Sequence, residues 1–266
     1  MSRTLVREVL VLSVRSSGES NREATLLSAE EGIVRATVFG GPKSKLRAHV
    51  APFHSGTMWL YRDPVRDSLK VTDFDVRSWR PLLRELLERS WAATAVMDTI
   101  RSSHGGGGAW PEALALADGT LDALELADAD GAALALVRFL WKWADLLGGR
   151  PEMDSCGACA CRLAADEVVW YFRRETAFRC RRCASSATAA ASGASAGDAD
   201  TLARFAVSGG ARAWLRAVDG LDAKSCLRVA PDAVSAVQAK RLATEVLSEA
   251  LGRRLASWDG WDAARR

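Results

Sequence analysis

Four cysteines carry the most definite chemistry in the chain. Cys156 and Cys159 form one C-x-x-C pair and Cys180 and Cys183 a second, with twenty residues between the pairs. Each pair bends a short loop so that two sulfurs face one point. Two such loops make the tetrahedral four-sulfur cage that zinc favours. Iron held by four thiolates uses the same donors. Four thiolates leave no open coordination position, so the pattern predicts one structural Zn2+ and no catalytic metal. A redox C-x-x-C needs a single pair on a thioredoxin-like scaffold, and no such scaffold is visible. Cys161 follows Cys159 by two residues and could compete as a ligand. The matched pairs favour Cys159 and leave Cys161 spare.

A second set of residues could hold phosphates. The stretch Gly40-Gly41-Pro42-Lys43-Ser44-Lys45-Leu46-Arg47-Ala48-His49 alternates its cations, so an extended loop would put Lys43, Lys45 and Arg47 on one side. Arg35 lies mid-strand just before it, and Arg15 and Arg22 flank an earlier turn. Such charges release counterions from nucleic acid and bind without sequence preference. An isolated run this short is more often a solvated loop. Arg173, Arg174, Arg179, Arg181 and Arg182 lie near Trp170-Tyr171-Phe172 between and beside the cysteine pairs. Those aromatics could stack on bases, but a small metal module has little core and more often packs them. Asp73 and Asp75, at a strand end, could bind magnesium in a hydrolase or nuclease. A solvated strand end is the commoner reading. A zinc-ribbon transcription regulator is a third reading, without a recognition helix or dimer seam to support it. The chain has no Gly-x-x-x-x-Gly-Lys-Ser/Thr, no Gly-x-Ser-x-Gly and no His-Glu-x-x-His.

The elements that must position these residues change at about residue 80. Five short apolar or β-branched runs precede it: around Val9–Val14, Ala24–Leu27, Ile33–Phe39, Met58–Tyr61 and Leu69–Phe74. Both faces of the first are apolar, and Glu30-Glu31-Gly32 marks a hairpin. Five strands with a longer connection after the third predict a small closed barrel of the OB type, a scaffold that often binds single strands in a basic groove. After Pro81 the apolar period becomes helical, with Leu83, Leu87, Trp91 and Ala95 on one face. Gly105 to Gly108 break that helix, and Pro111 opens another. Leu136, Leu140, Trp143 and Leu147 line a third, which Gly148-Gly149 end. Trp141 and Trp143 read as core anchors. Residues 184–200 lack any large apolar side chain and read as a flexible tether. Helical pattern then resumes, with Leu247, Leu251, Leu255 and Trp258 as a stripe on the last helix. The reading is α+β: an OB-type barrel over 1–80, then a mainly helical domain over 81–266 with the zinc module at 156–183 inserted.

The whole chain bounds these readings. Its 266 residues suit about two domains. Hydrophobic residues make up 48% and charged residues 26%, the balance of a globular protein, and the net charge of +3 means that any nucleic-acid surface must be a local patch. Charges come too early in the N-terminal segment for a signal-peptide core, and no apolar run reaches the ~18 residues of a membrane helix. Six cysteines without a secretory signal point to a reducing compartment, so the expected location is the cytoplasm.

Three stretches together resemble the bacterial RecO recombinational-repair family. Glu19-Ser20-Asn21-Arg22 is similar to its Glu-Ser/Asp-x-Arg turn before the second strand. Gly32 through Gly40-Gly41-Pro42-Lys43-Ser44-Lys45 is similar to its glycine-bounded strand and Lys-Ser-Arg/Lys loop. The cysteine quartet is the third, and the match spans about residues 5–185. The resemblance implies an OB barrel, a helical domain and no enzymatic activity. It implies binding of single- and double-stranded DNA and annealing of complementary strands, in the cytoplasm at the nucleoid. It also implies partnership with RecR and with the acidic tail of single-strand-binding protein, so that RecA loads on coated DNA. Lys43, Lys45 and Arg47 are then the first DNA candidates, with Arg15, Arg22 and Arg35 next. A tail site needs an apolar pocket and cations. The helix with Arg138 and Lys142 beside Phe139 and Trp143 offers both, as does the last helix with Lys240, Arg241, Arg253 and Arg254.

Overall fold

Five strands close on themselves at the N-terminal end of the computed structural model, which describes residues 3–18, 20–40, 44–191 and 204–259. They are β1 (Thr4–Ser17), β2 (Asn21–Ser28), β3 (Gly32–Val38), β4 (Ser55–Asp63) and β5 (Ser68–Ser78), with a short helix α1 (Lys45–His49) between β3 and β4. The barrel order is β1-β2-β3-β5-β4, closed by antiparallel pairing of β1 with β4. Every neighbouring pair is antiparallel except β3 with β5. This is an OB-like barrel, as the five apolar runs predict.

Two local features allow closure. Strand β1 is long enough to pair with both β2 and β4, and a bulge between Val11 and Ser13 bends it. On β4, a Cβ on Gly56 would lie 2.1 Å from the Asp75 carbonyl oxygen, so only glycine permits that approach. Val9, Val11, Leu26, Ala36, Val38, Met58, Leu60, Val71 and Phe74 fill the interior. Leu10, Leu12 and Leu27 are buried as well, so β1 and β2 are covered on both faces.

By compactness the chain forms two units, Met1–Ala132 with the terminal Asp259–Arg266, and Ala133–Trp258. The change from strand to helix at Arg80-Pro81 falls inside the first unit. Pro81 opens a 3-10 turn, Pro81–Arg84, and the predicted long helix begins only at α2 (Leu87–Ser102); α3 (Trp110–Leu126) follows the glycine run. Arg80 shows why α3 belongs with the barrel. Its side chain is 1% exposed and donates to the Phe53 carbonyl at 2.7 Å and to Ser55 Oγ at 3.2 Å. The same guanidinium donates to Asp118 at 2.6 Å and Asp122 at 2.7 Å, both on α3. Its backbone is left-handed, at φ 47°.

The second unit begins within α4 (Ala129–Leu146) and continues with β6 (Val169–Phe172), β7 (Ala177–Arg179), α5 (Arg181–Ala191), β8 (Arg204–Val207), α6 (Gly209–Asp219), α7 (Ala223–Cys226) and α8 (Ala233–Leu251). A three-stranded antiparallel sheet, β7-β6-β8, supports the cysteine segment. Phe139, Trp141, Trp143, Tyr171, Phe178, Leu215, Leu242, Val246 and Trp258 are fully buried. Two sequence readings need correction. The Ala/Ser stretch is helical through Ala191, because alanine favours helix once a turn has been nucleated at the second cysteine pair; the rest of that stretch, 192–200, lies outside the described residues. The last stripe is not one helix: Gly252, at φ 66°, caps α8, so Leu255 and Trp258 lie beyond it. Among the described residues no helix is long and apolar enough to cross a membrane.

Candidate metal centre and nucleic-acid surface

The first cysteine loop is a tight knuckle. The Cys156 amide donates to the Cys161 carbonyl at 2.9 Å, and the Ala160 amide donates back to the Cys156 carbonyl at 2.8 Å. The Gly157 amide donates to Phe178 on β7 at 2.8 Å and ties the knuckle to the sheet. Cys180 follows β7 directly, and Cys183 sits in the first turn of α5. These elements bring the sulfurs of Cys156, Cys159, Cys180 and Cys183 within 4.8 Å of one another. Zinc–sulfur bonds of about 2.3 Å in a tetrahedron put sulfurs about 3.8 Å apart, so the donors fit that cation. The separation of Cys159 from Cys180 is 4.0 Å.

The titration of the thiols supports the same fit. Burial opposes ionisation of Cys156, but amides of Cys180, Ala158 and Cys159 outweigh it and hold the thiol below its ordinary range. The Cys161 amide and neighbouring thiols bring Cys159 down to about 6. Hydrogen bonding to Cys159 and Cys180 pushes Cys183 up to about 12. Four sulfurs this close cannot all ionise unless a cation sits among them, and a divalent metal removes that conflict. Cys159, then the charges of Cys183 and Cys180, hold the Arg182 guanidinium above its ordinary range, so its positive charge faces the quartet. Cys161 is exposed and outside the quartet, as expected.

The residue that braces this centre belongs to no motif in the sequence. Arg212 on α6 is 0% exposed. It donates to the carbonyls of Met153 and Glu167, each at 3.2 Å, and to that of Ala164. It therefore pins both ends of the first knuckle, 153 and 164–167. Only an arginine, with five donors in a fork, spans three carbonyls. Its position inside a helical apolar pattern was the sole hint. Tyr171 and Phe172 are buried, and the Tyr171 ring lies 5.7 Å from Phe178 and 5.5 Å from Phe205, so these aromatics pack.

The basic residues of the barrel fall into separate places. Lys43 lies outside the described residues, as does Glu19. Lys45 and Arg47 are not on an extended loop, because Lys45–His49 is helical. Residues two apart on a helix diverge by about 200°, so these two cations do not share a side. Arg15 and Arg35 both approach Glu23, at 2.7 Å and 4.0 Å. Arg22 pairs with Val38 and shares the inward parity of Ala24, which puts it at the end of the barrel.

A cleft that the sequence did not reveal lies beside Arg35. Strands β3 and β5 pair only over Ala36–Val38 and Leu69–Val71. Before Ala36 they part and leave a cleft of about 400 Å³ lined by Glu23, Arg35, Thr37, Arg62, Asp67 and Ser68. After the paired stretch, Phe39 is 46% exposed, and Lys70 Nζ is 5.9 Å from both the Phe39 and Tyr61 ring centroids. A cation beside an exposed Phe39 and a half-buried Tyr61 suits a stacked base and its phosphate. The field is mild, since Lys70 also pairs with Asp63 at 2.9 Å and Arg62 with Glu31 at 3.1 Å. Asp73 and Asp75 are both exposed, and among the described residues only the cysteine quartet gathers three or more metal-ligating groups.

Arg138 and Lys142 are occupied. Arg138 is 5% exposed and donates to the Leu221 carbonyl at 2.6 Å, and Lys142 donates to the Asp219 carbonyl at 2.9 Å. Both hold the turn after α6. On α8, Arg241 lies 4.2 Å from the Phe205 ring, while Val234 and Val237 are 65% and 68% exposed. Arg254 pairs with Glu245 at 3.6 Å, and Arg253 and Lys240 also have partners.

Two family models match the chain: "Recombination protein O N terminal" over residues 1–74 and "Recombination protein O C terminal" over residues 84–259. They meet where strand gives way to helix. Over 188 residues, 70% of this chain and 67% of the relative, the chain is 29% identical to the DNA repair protein RecO of Desulfitobacterium hafniense strain DSM 10664 / DCB-2, and equally to that of strain Y51. It is 31% identical to the DNA repair protein RecO of Pelotomaculum thermopropionicum over 159 residues, 59% of this chain and 60% of that protein.

Proposed function

We propose, from the premise that the chain belongs to the recombination protein O family, that it is a non-enzymatic DNA-binding mediator of recombinational repair. It binds single- and double-stranded DNA and anneals complementary strands. With RecR it helps RecA load on strands coated by single-strand-binding protein. The observation that carries this reading is the cleft between β3 and β5 with the Phe39, Tyr61 and Lys70 cluster at its side. A stacking platform next to cations binds single strands with little sequence preference, which annealing of arbitrary complements requires.

Arg35, Arg62 and Lys70 hold the strand at the cleft, Arg15 and Arg22 extend the surface, and Lys43, Lys45 and Arg47 add phosphate contacts from the neighbouring connection. One Zn2+ on Cys156, Cys159, Cys180 and Cys183 is structural. Arg138 and Lys142 are already engaged with carbonyls, so the acidic tail is assigned instead to the exposed Val234 and Val237 stripe with Arg241. The test is annealing of complementary oligonucleotides, bare and coated with full-length or tail-less single-strand-binding protein. Annealing of bare and tail-bearing coated strands without cleavage in magnesium is expected. Failure on all substrates would overturn the reading, and magnesium-dependent cleavage would replace it with the nuclease.

A further inference from the structure

The barrel unit carries another exposed aromatic residue, away from the cleft. Trp79 follows the last residue of β5 and is 44% exposed. The cleft takes in Leu69 at the start of β5, so the two places are about 30 Å apart along the strand. Two histidine rings hold the indole edge to face: His49, which ends α1, at 5.2 Å between centroids, and His54 at 4.9 Å. Both are themselves fixed. His49 Nδ1 donates to the Phe74 carbonyl at 3.2 Å, and His54 Nδ1 donates to the His49 carbonyl at 2.7 Å. Phe53, next to His54 in the chain, has a left-handed backbone at φ 77°. Its amide donates to the Val11 carbonyl at 3.0 Å, and its own carbonyl accepts from Arg80 at 2.7 Å. A bulky residue rarely takes that conformation, and it persists only where the surroundings over-determine it, as they do at binding sites. The Phe53 ring lies 5.9 Å from the Arg84 guanidinium. Arg84 is exposed and makes no ion pair among the described residues. At the cleft, by contrast, Arg35, Arg62 and Lys70 each meet a carboxylate.

We propose that Trp79, with Phe53 and Arg84, is a second single-strand platform, so that one barrel holds two strands at once. The inference rests on the reading that the barrel binds a single strand at the cleft. An exposed indole stacks a base, and a guanidinium with no carboxylate partner takes the adjoining phosphate. Neither contact reads sequence. Because the two histidines already fix the indole, stacking on it costs little side-chain freedom. Joining two complementary strands needs a grip on each, and a single cleft supplies one. Lys45 and Arg47 stand on α1, in the connection that begins at Phe39 and ends at His49 against Trp79.

The experiment titrates the full chain at low salt with an oligothymidine of about eight nucleotides, within the ~4–16 that one OB fold covers. Strands bound per chain and the affinity of each site are measured. Wild type should bind two strands. Trp79→Ala should weaken one site at least about fivefold and Phe39→Ala the other, while Trp79→Phe should stay near wild type. Arg84→Glu changes an exposed side chain, so it tests the platform even if Trp79→Ala fails to fold; it should flatten the salt slope of the Trp79 site by about one unit. One strand per chain in wild type, or wild-type affinities and salt slopes in both Trp79→Ala and Arg84→Glu, would overturn the proposal and leave the cleft reading standing. If Phe39→Ala weakens neither site while Trp79→Ala weakens one, the cleft reading fails and the Trp79 platform holds.

Discussion

The two units bury their residues by different means. The barrel closes through strand pairing around an apolar interior, and each of its strands has seven residues or more. The cysteine segment has β6 with four residues and β7 with three, too little to close anything. Each unit also contains a buried arginine. Arg80 meets two carboxylates, while Arg212 meets three carbonyls. The comparison teaches that a sheet able to close buries an apolar interior of its own, whereas the short loop pair gathers four sulfurs that fit a cation and is tied down by a long-range brace.

The sharpest way to break that comparison is to remove the metal. Chelation, or Cys156→Ser, should abolish zinc binding worth roughly 10 kcal/mol in small zinc modules. Hydrogen exchange should then show loss of protection over 156–183 with the β1–β5 amides unchanged; equal loss in both would refute the division. The arginines come next. Arg80→Met should cost about 3 kcal/mol in urea unfolding, because Asp118 and Asp122 lose their counterion, and adding Asp118→Asn should recover part of it. Arg212→Met should cost about 2 kcal/mol and should lower zinc affinity, which Arg80→Met should leave alone.

A smaller effect separates surface from core. Phe39→Ala should weaken single-strand binding by about 1 kcal/mol without altering the salt slope. Arg35→Glu and Lys70→Glu should each flatten that slope by about one unit; the reverse pattern would move the DNA site off this cleft. The smallest effect is on pH. Burial, then the charges of Arg84 and Arg80, hold His54 below its ordinary 6.5 despite its bond to the His49 carbonyl. Between the lowered folded value and 6.5 the unfolded chain binds the extra proton. The barrel unit should therefore lose stability as pH falls through 6.5 until folded His54 also protonates. His54→Gln should remove that dependence from thermal melts.

What the sequence by itself determined is local. The quartet follows from spacing, because two C-x-x-C loops hold ligands whatever surrounds them. The five strands follow from short apolar or β-branched runs and a hairpin glycine, and the helices from apolar spacing bounded by glycine and proline. Tertiary structure alone decided the rest. Lys45 and Arg47 look aligned in sequence, but helix α1 separates them. Arg138 and Lys142 stand in the sequence as cations beside Phe139 and Trp143, and only the fold shows that they donate to the carbonyls of Leu221 and Asp219, 83 and 77 residues away. The cleft arises from where β3 and β5 stop pairing, a register no single strand encodes. Arg80 and Arg212 depend on partners distant in the chain. The physical reason is common to all of them: spacing along one element sets which residues share its face, and only packing decides which charges are left free to act.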